Sequence, residues 1–125
     1  TSIRYQAFDS CRNLSIVKFP SNSNLSNLEN NTFNQTNLRH IVIPSYIKTL
    51  DFCCFSCCNN LSSAEFLGDR LEIGDHLFMC SQNLLIISFP NVTSLIIGND
   101  PFNEGSSNCL ILVNSNANIH YNENE

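Results

Sequence analysis

The 125-residue sequence has few charged residues, and few of those charged residues are basic. Charged side chains make up 14% of the chain, and the formal net charge is −5 with six lysines and arginines. Nucleic-acid-binding domains carry a basic face, and electrostatic membrane anchors need a cluster of basic residues. The composition therefore argues against nucleic acid as a partner and against a polybasic anchor.

The sequence also lacks an apolar run long enough to span a membrane as a helix. Its most apolar stretch, residues 84–98, is interrupted by Pro90 and by polar residues such as Asn91. No signal peptide is visible, but the chain opens with Thr1 rather than methionine, so we interpret it as a segment of a longer protein. With four glycines in all, a glycine-rich phosphate-binding loop is excluded.

Asparagine and serine take the place of the missing charges, with 20 and 16 residues respectively. A polar bias of this kind is typical of disordered chains, but disordered chains also lack large apolar residues. Here 42% of the residues are hydrophobic and nine are phenylalanine. The chain is therefore expected to fold, and its length suits a single domain.

A repeat of about 23 residues runs through almost the whole chain. Its clearest markers are phenylalanines spaced 22 to 25 residues apart, at Phe8, Phe33, Phe55, Phe78 and Phe102. An aliphatic residue stands five positions before each of them, at Ile3, Leu28, Leu50, Ile73 and Ile97. A leucine follows each of them, six residues later in most copies, at Leu14, Leu38, Leu61, Leu84 and Leu110.

Each of these leucines opens the pattern Leu-x-x-φ-x-φ, where φ is apolar. The four clear copies end in Val17/Phe19, Ile41/Ile43, Ala64/Phe66 and Ile87/Phe89, and a weaker fifth copy has Val113 with Ser115 in the last place. Asparagine precedes the leucine in four copies, where its side chain can hydrogen-bond backbone groups. Proline follows the pattern at Pro20, Pro44 and Pro90, where it would end strand pairing.

A unit of this length cannot bury its own core, so successive copies must cover one another. The φ-x-φ segments have strand periodicity and predict five short parallel strands near residues 16–19, 40–43, 63–66, 86–89 and 111–114. The residues between them predict one or two helical or 3₁₀ turns and a second short extended piece at the aliphatic residue. The five phenylalanines should form one ladder. The alternative is an α+β domain with scattered phenylalanines, in which the regular spacings would have arisen by chance.

The string Ile-x4-Phe-x2-Cys-x-Asn-Leu-x2-φ-x-φ-Pro, read from Ile3 to Pro20, resembles the BspA-like leucine-rich repeat. The resemblance implies a right-handed parallel β solenoid of about five repeats, a single leucine-rich-repeat domain over residues 1–125. The repeats would span approximately 1–25, 26–47, 48–70, 71–94 and 95–120. The resemblance also implies that the chain belongs to a surface protein of the kind found in bacteria and anaerobic protists, where such proteins adhere to host cells and matrix. The last repeat departs from the pattern around Asp100-Pro101 and residues 103–108, so Leu95 is an alternative to Ile97 as its aliphatic residue.

The seven cysteines are candidates for a metal site, because Cys54 and Cys57 form a Cys-x-x-Cys pair. Cys58, however, holds the repeat position of Cys11, and Cys54 holds that of Ala7, so both fit small buried positions of the repeat. A second such pair is missing. We therefore expect no metal and no cofactor, with reduced buried thiols favoured over one or two disulfides.

The three histidines, His40, His76 and His120, fall at different positions of the repeat. A catalytic triad needs a nucleophile and an orienting acid beside its base, and no motif supplies them. The sequence therefore predicts no catalytic residues and no enzymatic activity in this segment.

The predicted partner-binding residues are those that alternate with the buried residues of the strands, because the other face builds the core. They form a first row of Ile16, His40, Ser63, Ile86 and Leu112, and a second row of Lys18, Val42, Glu65, Ser88 and Asn114. An exposed apolar row is typical of a protein-binding patch, although strand propensity alone also favours such residues.

Several asparagines stand in Asn-x-Ser/Thr sequons, which are glycosylated in secreted proteins. Asn13 and Asn60 occupy the structural position before the leucine. The candidate glycosylation sites are therefore Asn24, Asn30, Asn34 and Asn91.

Three functions remain open from the sequence. The favoured one is a cell-surface or secreted module that adheres to host or matrix proteins. The alternative is a cytoplasmic scaffold that binds a cytosolic protein. The third is part of an enzyme or a regulatory segment fused to one, with any chemistry carried by residues outside this sequence. The uncovered ends of the stack also predict self-association.

Overall fold

The computed structural model describes residues 1–102 and 108–122. They contain ten short strands: β1 (Ser2–Ile3), β2 (Asn27–Leu28), β3 (His40–Ile43), β4 (Thr49–Leu50), β5 (Ser63–Phe66), β6 (Arg70–Ile73), β7 (Ile86–Phe89), β8 (Ser94–Ile97), β9 (Leu110–Val113) and β10 (Asn118–Tyr121).

The strands form two parallel sheets that run along a solenoid. One sheet has six strands in the order β1-β2-β4-β6-β8-β10, and the other has four in the order β3-β5-β7-β9. From the second coil to the fifth, the chain gives one strand to the six-stranded sheet, turns at a phenylalanine and then passes through the four-stranded sheet. The predicted parallel β solenoid of leucine-rich-repeat type is confirmed, and the second extended piece predicted at the aliphatic residue is a sheet in its own right.

Side-chain alternation explains why these segments are strands. In β3, Ile41 and Ile43 are buried whereas His40 is exposed and Val42 half-buried. Burying the two isoleucines in one core fixes the register, because a slip of one residue would turn them outward. β3 and β7 both end immediately before a proline, at Pro44 and Pro90, as the lack of a proline N–H requires.

The phenylalanine ladder forms as predicted. Successive rings stack nearly parallel, with centroid separations of 5.4 Å (Phe8–Phe33), 5.5 Å (Phe33–Phe55), 5.9 Å (Phe55–Phe78) and 5.9 Å (Phe78–Phe102). Phe55, at the centre, has no exposed surface. The ladder is therefore a continuous spine of the core.

The segment around each phenylalanine is a series of turns, and no helix is assigned within residues 1–102 and 108–122. The predicted helical or 3₁₀ turns are absent because residues two before and two after the phenylalanine have positive φ, at Gln6, Ser10, Asn31, Gln35, Cys53, Cys57, His76, Cys80 and Asp100. Left-handed residues at this spacing interrupt any helix. They instead aim the N–H groups of alternate residues at carbonyls of the next coil, such as Phe33 N to Cys54 O at 2.9 Å and Phe55 N to Leu77 O at 2.9 Å.

The first predicted strand is not formed. Residues 16–19 are extended but unpaired, so β3 is the edge of its sheet. The Asn37 N–H still donates to Leu14 O at 2.9 Å, but further along, the carbonyl of Pro20 accepts the Tyr46 hydroxyl at 2.7 Å. At this point the two segments are therefore in contact through a side chain and not through backbone pairing.

The last repeat follows a different register from the one predicted. Ile97 pairs with Ile73, so Ile97 and not Leu95 is the aliphatic residue. Leu110, however, pairs with Ile86, and the inward positions of β9 hold Ile111 and Val113. The predicted register, which placed polar Ser115 in the last inward position, is wrong by two residues. Part of the irregular segment, residues 103–107, lies outside the described residues.

The asparagines before the repeat leucines bond between coils. The Asn83 side-chain amide donates to the Asn59 carbonyl at 2.6 Å, as predicted for a backbone contact, whereas the Asn60 amide donates to the Asn37 side chain. These bonds tie the entries of neighbouring strands together.

Candidate binding surface

The outward face of the four-stranded sheet presents two rows of side chains. Strand register places His40, Ser63, Ile86 and Leu110 in the first row and Val42, Glu65, Ser88 and Leu112 in the second. All eight are exposed or half-buried, in contrast to the buried residues between them in β3, β5 and β7. Ile16 and Lys18 continue the face onto the unpaired first segment and are exposed.

Two predicted positions on this face change with the corrected register. Leu112 pairs with Ser88 and therefore lies in the second row, and Leu110 takes its place in the first. Asn114 follows the end of β9, and its N–H donates to Phe89 O at 3.3 Å. Because the shift is two residues, the same side of β9 still faces outward.

The face is supported from within. Beneath it the Phe66 and Phe89 rings stack with centroids 4.8 Å apart, and Phe78 contacts Phe66 edge-on at 6.3 Å. On the surface itself the His40 ring nitrogen hydrogen-bonds the Ser63 hydroxyl, and the Ser62 hydroxyl donates to Arg39 O at 3.0 Å. Packing and hydrogen bonds hold the rows in place, so the face can bind without first being ordered.

A groove of about 920 Å³ opens where the first segment separates from the edge strand β3. Its lining is mainly apolar, with Lys18, Arg39 and His40 among its polar residues, and includes Ile16, Val17, Phe19, Val42, Pro44, Tyr46 and Leu67. No acidic side chain lines it in the part of the chain that the structure describes. Sequence reasoning identified Ile16, Lys18, His40 and Val42 but missed the groove, because the groove exists only where an expected strand fails to pair.

The cysteines occupy the positions that the repeat predicts. Cys54 and Cys58 have no exposed surface, and burial raises the pKa of both thiols. The Cys58 thiol donates to Phe33 O at 3.2 Å and contacts the Thr36 hydroxyl at 3.5 Å. Within residues 1–102 and 108–122, no group of three or more His, Cys, Asp and Glu side chains has an arrangement that could hold a metal ion.

The candidate glycosylation sites differ in the freedom of their side chains. Asn24 is exposed, and Asn91, also exposed, donates from its amide to Leu67 O at 3.3 Å. Asn30 accepts the Phe52 N–H at 3.1 Å, and the Asn34 amide donates to Asp9 at 2.9 Å. A glycan on Asn34 would use the nitrogen that makes this bond, so Asn24 is the freest of the four predicted sites.

Comparison with known proteins gives one match. A family model described as BspA type leucine rich repeat region matches residues 1–122 in six copies. Six copies agree with the six strands of the larger sheet. The sixth strand, β10, lies beyond the five repeats that the sequence predicts. No curated protein and no solved structure matches the chain. Among the described residues, no helix is long and apolar enough to cross a membrane.

Proposed function

We propose that this chain, which belongs to the BspA-type leucine-rich repeat family, is a non-catalytic module that binds a protein partner on the face of its four-stranded sheet. The observation that carries the proposal is the apolar content of that outward face. Ile16 is 68% exposed, Leu110 55% and Leu112 46%, and Val42 and Ile86 lie between them in the same rows. Apolar side chains that the core does not need are typical of a protein-binding patch.

The distribution of charge favours the end of the face beside β3 as the site of partner contact. Lys18 and Arg39 line the groove beside β3 in a chain whose net charge is −5. The open edge of β3 can pair with an extended segment, as sheet edges do in strand addition. The groove therefore suits an extended partner segment that combines apolar with acidic side chains.

Within this function, surface-displayed adhesion to host or matrix proteins is the favoured role, and a cytoplasmic scaffold is the alternative. Mass spectrometry of native protein separates them, since disulfides or glycans at sites such as Asn24 mark an oxidising, secretory route. Free thiols and bare sequons would favour the cytoplasm.

The test is to place charges on the face with Val42→Glu and Ile86→Lys. We expect binding to immobilised fibronectin, laminin or collagen, or to cultured epithelial cells, to be lost in the double variant. The thermal melt should stay nearly unchanged, because both side chains point away from the core. A matched control carries the same charges on exposed turn residues, as Asn59→Lys and Gln82→Glu.

Two results would contradict the proposal. Binding that survives in the face variant places the contact on the loops. If the face variant unfolds while the control does not, Val42 and Ile86 belong to the core instead.

Self-association is a further expected property of the 125-residue chain. Exposed apolar side chains concentrate at the two ends of its stack, with Tyr5 and Phe8 at one end and Ile111, Ile119 and Tyr121 at the other. Sedimentation velocity should show oligomers whose fraction rises with concentration. Tyr121→Lys with Ile119→Lys should shift the chain towards monomer, and hydrogen exchange should be fastest in the end coils. A monomer with uniform protection would contradict the expectation.

A further inference from the structure

Three thiols lie together where the third and fourth coils meet. Cys53 and Cys57 flank Phe55, two residues away on either side, and Cys80 follows Phe78 by two residues. All three have left-handed backbone, with φ of 55°, 52° and 60°. Cys57 and Cys80 thus hold the same position of consecutive coils.

The backbone contacts show that Cys57 and Cys80 are neighbours across the stack. The Cys57 N–H donates to Met79 O at 2.7 Å, and the adjoining Phe55 and Phe78 rings stack with centroids 5.9 Å apart. Chains bonded in this way are separated by about 4.8 Å. Disulfides join residues whose Cα atoms are about 4.4–6.8 Å apart, so a spacing of this size lies within the range that a disulfide can bridge.

Solvent reaches Cys57 and Cys80, whereas it does not reach Cys54 and Cys58. Cys57 and Cys80 are half-buried, whereas Cys54 and Cys58 are buried. Cys57 also lines a polar cleft of about 240 Å³ with Arg12, Gln35 and asparagine side chains. Partial burial, followed by the neighbouring Cys80, raises the pKa of the Cys57 thiol, in keeping with their close approach. The Arg12 guanidinium beside the cleft suits a small anionic reagent.

We propose that Cys57 and Cys80 form a disulfide that joins the third coil to the fourth when the protein meets oxidised glutathione or a similar small disulfide. One thiolate attacks the small disulfide and releases the first reduced thiol. The second thiolate then attacks the mixed disulfide and releases the second. Two electrons pass from the protein to the reagent, and the two thiol protons leave with its two sulfur atoms. The bond encloses one whole repeat and so restrains the separation of these coils.

The experiment uses the full chain, fully reduced and then exposed to excess oxidised glutathione. Remaining thiols are alkylated, and the chain is digested with chymotrypsin, which cuts after Phe55 and so separates Cys53 from Cys57. We expect two of the seven thiols to be lost and the peptide from Ser56 to Leu61 to be linked to the one that contains Cys80. The melting temperature should rise by roughly 5 °C or more.

Single substitutions assign the pair. Cys57→Ser and Cys80→Ser should each abolish the link and the thermal shift, whereas Cys53→Ser and Cys109→Ser should leave both intact. A dominant Cys53–Cys57 link, stable mixed disulfides with glutathione, or seven retained thiols in the unsubstituted chain would each overturn the proposal. Because these readouts use the unsubstituted chain, they hold even if a variant fails to fold.

Discussion

Replacing Phe55 with alanine is expected to lower the free energy of unfolding by about 3–5 kcal/mol. The ring is fully buried and stacks on Phe33 and Phe78 in the two neighbouring coils. Truncation therefore removes contacts in three coils at once, and the stacked backbones leave little room for collapse into the cavity. Urea unfolding followed by circular dichroism measures the change.

Phe52 gives a matched control in the same coil. It is 43% exposed and contacts the His76 ring edge-on at 5.6 Å, outside the ladder. Phe52→Ala should cost less than half as much as Phe55→Ala. A loss below about 1 kcal/mol for Phe55→Ala would show that the ladder contributes little to stability.

Replacing Gly74 with alanine is expected to destabilise the protein by about 1–3 kcal/mol, although alanine is only one methyl group larger. A Cβ atom there would lie 2.7 Å from the Asp51 carbonyl carbon and 2.8 Å from the Phe52 nitrogen. Both atoms are backbone of the preceding coil, so relief requires the coils to separate. Gly98, at the same position of the next coil, meets the backbone of Asp75 and Gly74 in the same way.

Gly68 is the control, because a Cβ atom there would come no closer than 3.4 Å to the Leu71 side chain, an ordinary contact. The Gly68→Ala variant should melt close to the unsubstituted chain, and Gly74→Ala well below it. Equal melting of the two variants would mean that the stack accommodates the methyl group without cost.

The spacing of apolar residues was enough to predict the solenoid, the ladder and most of the outward rows of the four-stranded sheet. The ladder follows from five phenylalanines in one register, and the outward rows follow from alternation in segments such as residues 40–43. These features depend on which residues are apolar, and that is written directly in the sequence.

The features that could not be predicted depend on contacts between coils or on backbone conformation. The Tyr46 hydroxyl bonds the Pro20 carbonyl at the groove, and a tyrosine two residues after a proline carries no signal of such a bond. The left-handed positions hold glutamine, serine, cysteine and histidine as well as the expected asparagine and aspartate, so residue type did not reveal them. The last register failed because the spacing near residues 103–108 is irregular.

The hydrogen bonds at the phenylalanine turns all run in one direction along the stack. The N–H groups of Gln6, Phe8 and Ser10 donate to the second coil, and those of Asn31, Phe33 and Gln35 donate to the third. Peptide dipoles alternate and largely cancel in a β sheet, but here they add, as they do in an α-helix. The first phenylalanine turn is therefore the negative end of this row of hydrogen bonds and the last turn the positive end. Arg4 and Arg12 beside the first turn and Asp100 in the last turn have the signs that such a row stabilises, whereas Asp9 in the first turn has the opposite sign. Each added turn would lengthen the row.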